Sequence, residues 1–214
     1  MKYVKYPRTL HLPWSLGVTN DDKVLKDISH FIGKRVIVTE KMDGENSTLY
    51  PDYLHARSID SKDHPSRHWL KQLHSYVKDE IPEGWRVCGE NVFAEHSIKY
   101  DSLSAHFIVF SIWDNMNICL SWDETIKWIK YLGLNIVPIL YDGIWDEKKI
   151  KECFLGKSKF GQEQEGYVVR LADSFHYDGF SKRVAKFVRK NHVQTDDHWM
   201  QKELVVNKLI KGVN

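Results

Sequence analysis

Five short strand-like runs constrain this chain more than any other feature. They are Arg35 to Glu40, Arg86 to Asn91, Phe107 to Trp113, Gly166 to Leu171 and Val184 to Arg189. Each is long enough for a strand and too short for a buried helix, and most are rich in Val, Ile or Phe. Two further strands are predicted at Thr48 to Tyr50 and Tyr53 to Ser58, around Pro51-Asp52. Helical patterns fall between them at uneven intervals. Residues 22 to 32 carry Val24, Leu25, Ile28 and Phe31 on one face, with Gly33 as a stop. Residues 66 to 80 carry Trp69, Leu70, Leu73 and Val77, with Pro82 beyond. Ser121-Trp122-Asp123-Glu124 is a capping box opening a helix through Ile126, Ile129 and Leu132 to Gly133. Residues 146 to 155 and 197 to 210 complete the helical set. Strands and helices without strict alternation predict an α+β fold, with antiparallel β-sheets and flanking helices.

No internal repeat or Gly/Ser/Pro linker interrupts the 214 residues, so a single domain over 1–214 is expected. Hydrophobic residues at 42% can build a core, which sets disordered and fibrous classes aside. The formal charge of +2 excludes a generic polycation but leaves room for a local basic groove. Cys88, Cys119 and Cys153 form no CxxC pair, against a zinc ribbon or a disulfide framework. The N-terminus has no signal-peptide pattern and no run of about 18 apolar residues occurs, so a cytoplasmic protein without membrane association is expected. Gly156-Lys157-Ser158 resembles the end of a P-loop, but Lys151 stands where its first glycine belongs. His64 and His68 have metal-ligand spacing without a third ligand nearby, and read as a solvated helix end. His192 and His198 flank Asp196-Asp197, which leaves a metal site open, though hydrogen bonding or substrate contact is the preferred reading.

Four segments carry chemistry: Glu40-Lys41-Met42-Asp43-Gly44-Glu45-Asn46, Arg86-Val87-Cys88-Gly89-Glu90, Glu165-Gly166-Tyr167-Val168-Val169-Arg170 and Arg183-Val184-Ala185-Lys186-Phe187-Val188-Arg189. Alone, each is a common accident; a lone KxDG reads as a surface turn. In this order they resemble the nucleotidyltransferase motifs of the covalent ligase and capping-enzyme superfamily, and within it the ATP-dependent RNA ligases. Lys41-Met42-Asp43-Gly44 is similar to motif I, whose lysine is the nucleophile. Arg57, in His55-Ala56-Arg57-Ser58, is similar to the motif Ia arginine. Glu90 resembles the motif III glutamate, Phe110 the motif IIIa aromatic, Glu165-Gly166 motif IV and Lys186 the motif V lysine. Asn191 to Trp199 resembles a segment that follows motif V in some RNA ligases. Many relatives place two lysines in motif V; here Val184 and Val188 flank Lys186, leaving Lys182, Arg183 or Arg189 as candidates for the second cation.

The resemblance implies a ligase adenylation domain of nucleotidyltransferase (ATP-grasp-like) fold without an OB domain. Only 25 residues follow Arg189, too few for that barrel. It implies a lysyl-AMP intermediate, transfer of AMP to a polynucleotide 5′-phosphate, and sealing by a 3′-hydroxyl. ATP and Mg²⁺ (or Mn²⁺) are the implied cofactors. RNA ends are the implied partner, with an end-recognition or repair protein as a further one. Lys41, Asp43 and Lys186 are the implied catalytic residues. Glu40, Asn46, Arg57, Glu90, Phe110, Glu165 and Lys186 would bind the nucleotide, with Glu165 and Asn46 nearest the metal. Phe110 would stack on adenine and Glu90 would meet the ribose.

Residue chemistry sets the requirements. A free lysine has a pKa of about 10.4, so a nucleophilic Lys41 needs its pKa lowered, and Arg57, Lys186 and the metal are the expected agents. Lys182, Arg183, Lys186, Arg189 and Lys190 form a run without an acid that reads as a phosphate-contacting groove. Other readings stay open: a minimal DNA ligase, a GTP-using capping-type nucleotidyltransferase, a catalytically silent nucleic-acid-binding module, or an unrelated α+β protein.

Overall fold

The computed structural model describes residues 3–190 and 204–210. The predicted strands form where both faces of the backbone can be buried. β2 (Arg35–Lys41) sends Val36 and Val38 into one core cluster and Ile37 into another. β5 (Arg86–Asn91), β6 (Phe107–Trp113) and β10 (Gly166–Leu171) also occupy their predicted spans, and β12 covers Val184–Val188. β3 (Glu45–Leu49) and β4 (Leu54–Ala56) make the hairpin around Pro51-Asp52. Short strands join them: β1 (Leu10–His11), β7 (Ile118–Cys119), β8 (Asn135–Ile136), β9 (Ile139–Ile144) and β11 (Phe175–His176).

These strands make two sheets. One runs β1-β12-β10-β2-β9, and the other runs β11-β7-β6-β5-β3-β4, with β8 beside β6. The pairings are antiparallel except β1 with β12 and β6 with β8. Among the described residues there is no OB-fold barrel, and the predicted α+β class holds. A core of Leu12, Leu25, Phe31, Ile150 and Tyr167 packs the N-terminal segment and α3 (Glu147–Glu152) against the first sheet. A second, with Ile37, Met42, Ile108 and Trp122, lies between the sheets. A third, with Leu70, Val87, Val109 and Ile129, packs α1 (His68–Val77) and α2 (Trp122–Tyr131) on the second sheet.

Helix α2 opens as predicted, with Ser121 Oγ accepting from the Glu124 N–H at 3.3 Å. Its buried face includes Trp122, Thr125 and Ile129, whereas Ile126 is exposed. His64 caps the turn before α1 and His68 pairs with Asp63, in line with a helix end.

The helix predicted over 22 to 32 does not form. Leu25 and Phe31 are buried, as its apolar stripe implies, but the backbone pairs with β1 instead. The His11 N–H donates to the Lys23 carbonyl and the Leu25 N–H to the His11 carbonyl. Asp27 then accepts from the Ser29 N–H and hydroxyl, leaving one 3₁₀ turn at Ser29–Phe31. Of the closing helix predicted over 197 to 210, residues 204–210 are extended, bridging Val206 to Ala94 and Leu209 to Leu103. The remainder, with His192, His198 and the Asn191 to Trp199 segment, lies outside the described residues.

Candidate active site

The site forms where β2 leaves one sheet and β3 enters the other. The chain crosses through Met42, Asp43 and Gly44. The Asp-Gly pair is therefore a crossover between sheets, not a hairpin between neighbouring strands. Met42 anchors it in the core between the sheets. Asp43 braces it: its N–H donates to the Tyr100 hydroxyl, and its Oδ2 accepts from the Ser97 and Ile98 N–H groups, each at 2.8 Å. A Cβ at Gly44 would lie 2.5 Å from the Asn91 carbonyl oxygen. Close approach of β5 thus requires glycine here, independently of any phosphate.

A cavity of about 840 Å³ opens at this junction. Of the predicted site residues, Glu40, Lys41, Asn46, Arg57, Glu90, Phe110 and Lys186 line it. Asp43 stands behind the crossover, and Glu165 reaches Lys41 from the start of β10. Gly166 faces Lys41 across the β10–β2 ladder, which sets this meeting. Lys41 Nζ donates to Glu165 Oε2 at 2.6 Å. Asn46 and Glu90 are directly opposed on β3 and β5.

Charge is concentrated at Lys41. Burial favours its neutral amine, but the Glu165, Glu90 and Asp43 carboxylates outweigh burial and hold its pKa above the ordinary value. The expected lowering is therefore not found: the three carboxylates act on Lys41 more strongly than burial does. Burial pushes Glu90 up to about 8, with Lys41 opposing and Glu165 adding to the rise. Burial also raises Glu165 against the pull of Lys41. Lys186 moves the other way: burial, then the Lys41 charge, lowers it, with Arg57 adding to the effect. Glu40 is buried and raised by desolvation; its Oε2 accepts from the Lys159 N–H, and its Oε1 has no partner.

The basic run over 182 to 190 does not form one groove. Lys186 faces the cavity, whereas Lys182 and Arg183 lie near His30, whose pKa burial lowers and these two cations lower further. Arg189 pairs with Glu163 at 2.7 Å. Alternation along β12 turns successive side chains to opposite faces. Other cations line the cavity instead: Arg8, Arg57, Lys62, Arg67 and Arg170. Arg67 is buried and held by Glu45, with Nε 2.6 Å from Oε1 and NH2 on Oε2. Nothing local in the sequence marks Arg67. Tyr6 and Asp22 also line the cavity, carried there by the N-terminal segment. Tyr6 packs edge-on against Phe110 at 5.1 Å, in a cluster that includes Val168.

A sequence model described as RNA ligase matches residues 34–188. Among curated proteins none matches the chain. A solved Naegleria gruberi RNA ligase with PPi superposes with a TM-score of 0.59 at 21% identity, covering 86% of this chain and 57% of that one. A Naegleria gruberi RNA ligase K326A mutant with ATP and Mn gives 0.56 at 16%, covering 88% and 61%. An archaeal ATP-dependent RNA ligase gives 0.57 at 18%, covering 86% and 48%. The chain thus corresponds to about half to three-fifths of these proteins, and the likeness is one of fold.

Proposed function

This chain belongs to the RNA ligase family, and from that premise we propose that it joins RNA ends with ATP through a covalent lysyl-AMP intermediate. One observation carries the reading: Lys41 lines a cavity sized for a nucleotide, on a crossover braced by Asp43, among Glu165, Glu90 and Lys186.

Phe110 stacks on adenine, with Val168 in the same apolar cluster, and Glu90 meets the ribose hydroxyls. The Lys41 amine gives up its proton and attacks the α-phosphorus, and pyrophosphate leaves. Glu165, 2.6 Å from Nζ, is the carboxylate placed to receive that proton. Lys186 and Arg57 offset the charge that builds on the phosphoryl oxygens. The AMP then passes to a 5′-phosphate, and a 3′-hydroxyl attacks that activated phosphate and releases AMP. Arg8, Lys62 and Arg57, at the same cavity, supply positive charge for an RNA backbone.

The donors suit a magnesium or manganese ion. Asn46 Oδ1 is a buried acceptor without a partner, opposite Glu90, and hard divalent ions take oxygen ligands while keeping several waters. Glu165 and Asn46 would hold it, supplying charge neutralisation at the phosphates. Among the described residues no three His, Cys, Asp or Glu side chains are grouped to hold a metal ion.

The test is incubation with α-³²P-labelled ATP and Mg²⁺ followed by denaturing electrophoresis. Wild-type protein should retain label and Lys41→Ala should lose it completely. Folded wild-type protein without label would sink the reading, and a preference for GTP would move it to a capping-type enzyme. Nicked and single-stranded RNA and DNA then report the substrate, and preferential sealing of nicked DNA would overturn the RNA assignment.

A further inference from the structure

Asp22 lies outside the segment matched by the family, yet it lines the cavity beside Lys186. Its Oδ1 is 3.8 Å from Lys186 Nζ and 3.3 Å from His11 Nε2. Its Oδ2 accepts from the Thr19 N–H at 3.1 Å and the Thr19 hydroxyl at 2.9 Å. The carboxylate is therefore fixed from behind and offers one oxygen to two nitrogens. His11 is itself anchored: it is Lys186's register partner across the parallel β1–β12 pair, and its Nδ1 is 2.8 Å from Ser15 Oγ. Ser15 Oγ accepts from the Val188 N–H at 2.9 Å. The N-terminal segment thus grips β12 on both sides of Lys186, through side chains as well as backbone.

We propose that Asp22 is a positioning residue for the adenylylation step, holding the Lys186 ammonium over the phosphate end of the cavity with His11 as its brace. Lys186 needs such a holder. Burial and the Lys41 and Arg57 charges disfavour its ammonium form, and the Asp22 and Glu165 carboxylates oppose them; of these two, Glu165 is engaged with Lys41. Asp22 stays ionised to do this: burial would raise its pKa, but the Thr19 hydrogen bonds, with Lys186 and His11, hold it at about 2. The second motif V cation expected from the sequence is missing from β12's cavity face, where Val184 lines the cavity with Lys186. Fixing the single lysine from outside offsets that loss.

The inference rests on the proposed lysyl-AMP chemistry, so its test is a comparison within labelling-competent protein. Asp22→Asn keeps the shape and an oxygen for Thr19 while removing the charge. Single-turnover labelling of Lys41 at saturating ATP should slow by about tenfold, a loss in the range of one coupled charge pair, with little change in the ATP concentration for half-maximal rate. In a Lys186→Ala background the same substitution should cost nothing further. Thermal melting checks that each variant folds. If Asp22→Asn does not melt cooperatively, Asp22→Glu replaces it in the cycle, and its effect must likewise vanish without Lys186. Labelling of Asp22→Asn at the wild-type rate, or an equal loss with and without Lys186, overturns the proposal while leaving the ligase reading intact. Absence of label in wild type overturns the ligase reading itself.

Discussion

On the proposed reading Lys41 must lose a proton before it attacks, yet its amine sits 2.6 Å from the Glu165 carboxylate. That contact, with Glu90 and Asp43, favours the charged amine against burial. Glu90 gives the clearest pH signature. Its folded pKa, about 8, lies above the ordinary carboxyl value of 4.5. A raised pKa contributes stability fully below about pH 4.5, and that contribution is lost as pH rises through about 8. Glu90→Gln does not titrate, so its melting temperature should gain on wild type as pH rises from 4.5 to 8. A gap that stays constant across that window would show that Glu90 is not raised. The residues of this site were legible because four motifs stand in order. Their partners were not. Nothing near Glu45 in sequence announces Arg67, and nothing near Lys186 announces Asp22, since both pairs are made by the fold.

At the scale of elements, runs such as Arg35–Lys41 and Phe107–Trp113 were readable because burial on both faces selects apolar, β-branched sequence. The stripe Val24, Leu25, Ile28, Phe31 misleads for a physical reason: helical spacing satisfies burial here, but β1 competes for the backbone hydrogen bonds. Two-residue strands such as Leu10–His11 carry no periodicity to read. Residues 204–210 show how a distant element serves the crossover. Asn207 is buried, its Oδ1 accepts from the Tyr100 N–H, and its Nδ2 donates to the Val92 and Ala94 carbonyls. Tyr100 in turn meets Asp43. Asn207→Ala leaves these buried groups unpaired and should cost on the order of 2 kcal/mol in urea unfolding. A loss near zero would mean that the segment is not a strut.

At the scale of the molecule, the predicted α+β architecture was readable from the order of elements, but the division into two sheets was not. An Asp-Gly pair signals a local turn equally well whether the strands it joins are neighbours or belong to separate sheets. The cavity between them makes a prediction of its own. ATP at about a hundred times its dissociation constant should stabilise the protein by about 2.7 kcal/mol. For a chain of this size that is a rise on the order of 5–10 °C in melting temperature. An unchanged melting curve at saturating ATP and Mg²⁺ would count against a nucleotide site in this cavity.

The family match begins at residue 34 and ends at 188, but the walls of the cavity do not. Tyr6, Arg8 and Asp22 precede that span, and Asn207, which holds Tyr100 behind the crossover, follows it. What is inherited as a family signature and what must be present to make a working pocket are thus different lengths of chain. A protein engineer who trimmed to the signature would keep Lys41, Glu90, Glu165 and Lys186 and discard one wall and one strut. Grafting the motifs onto another scaffold would meet the same difficulty, because their geometry is guaranteed from outside themselves.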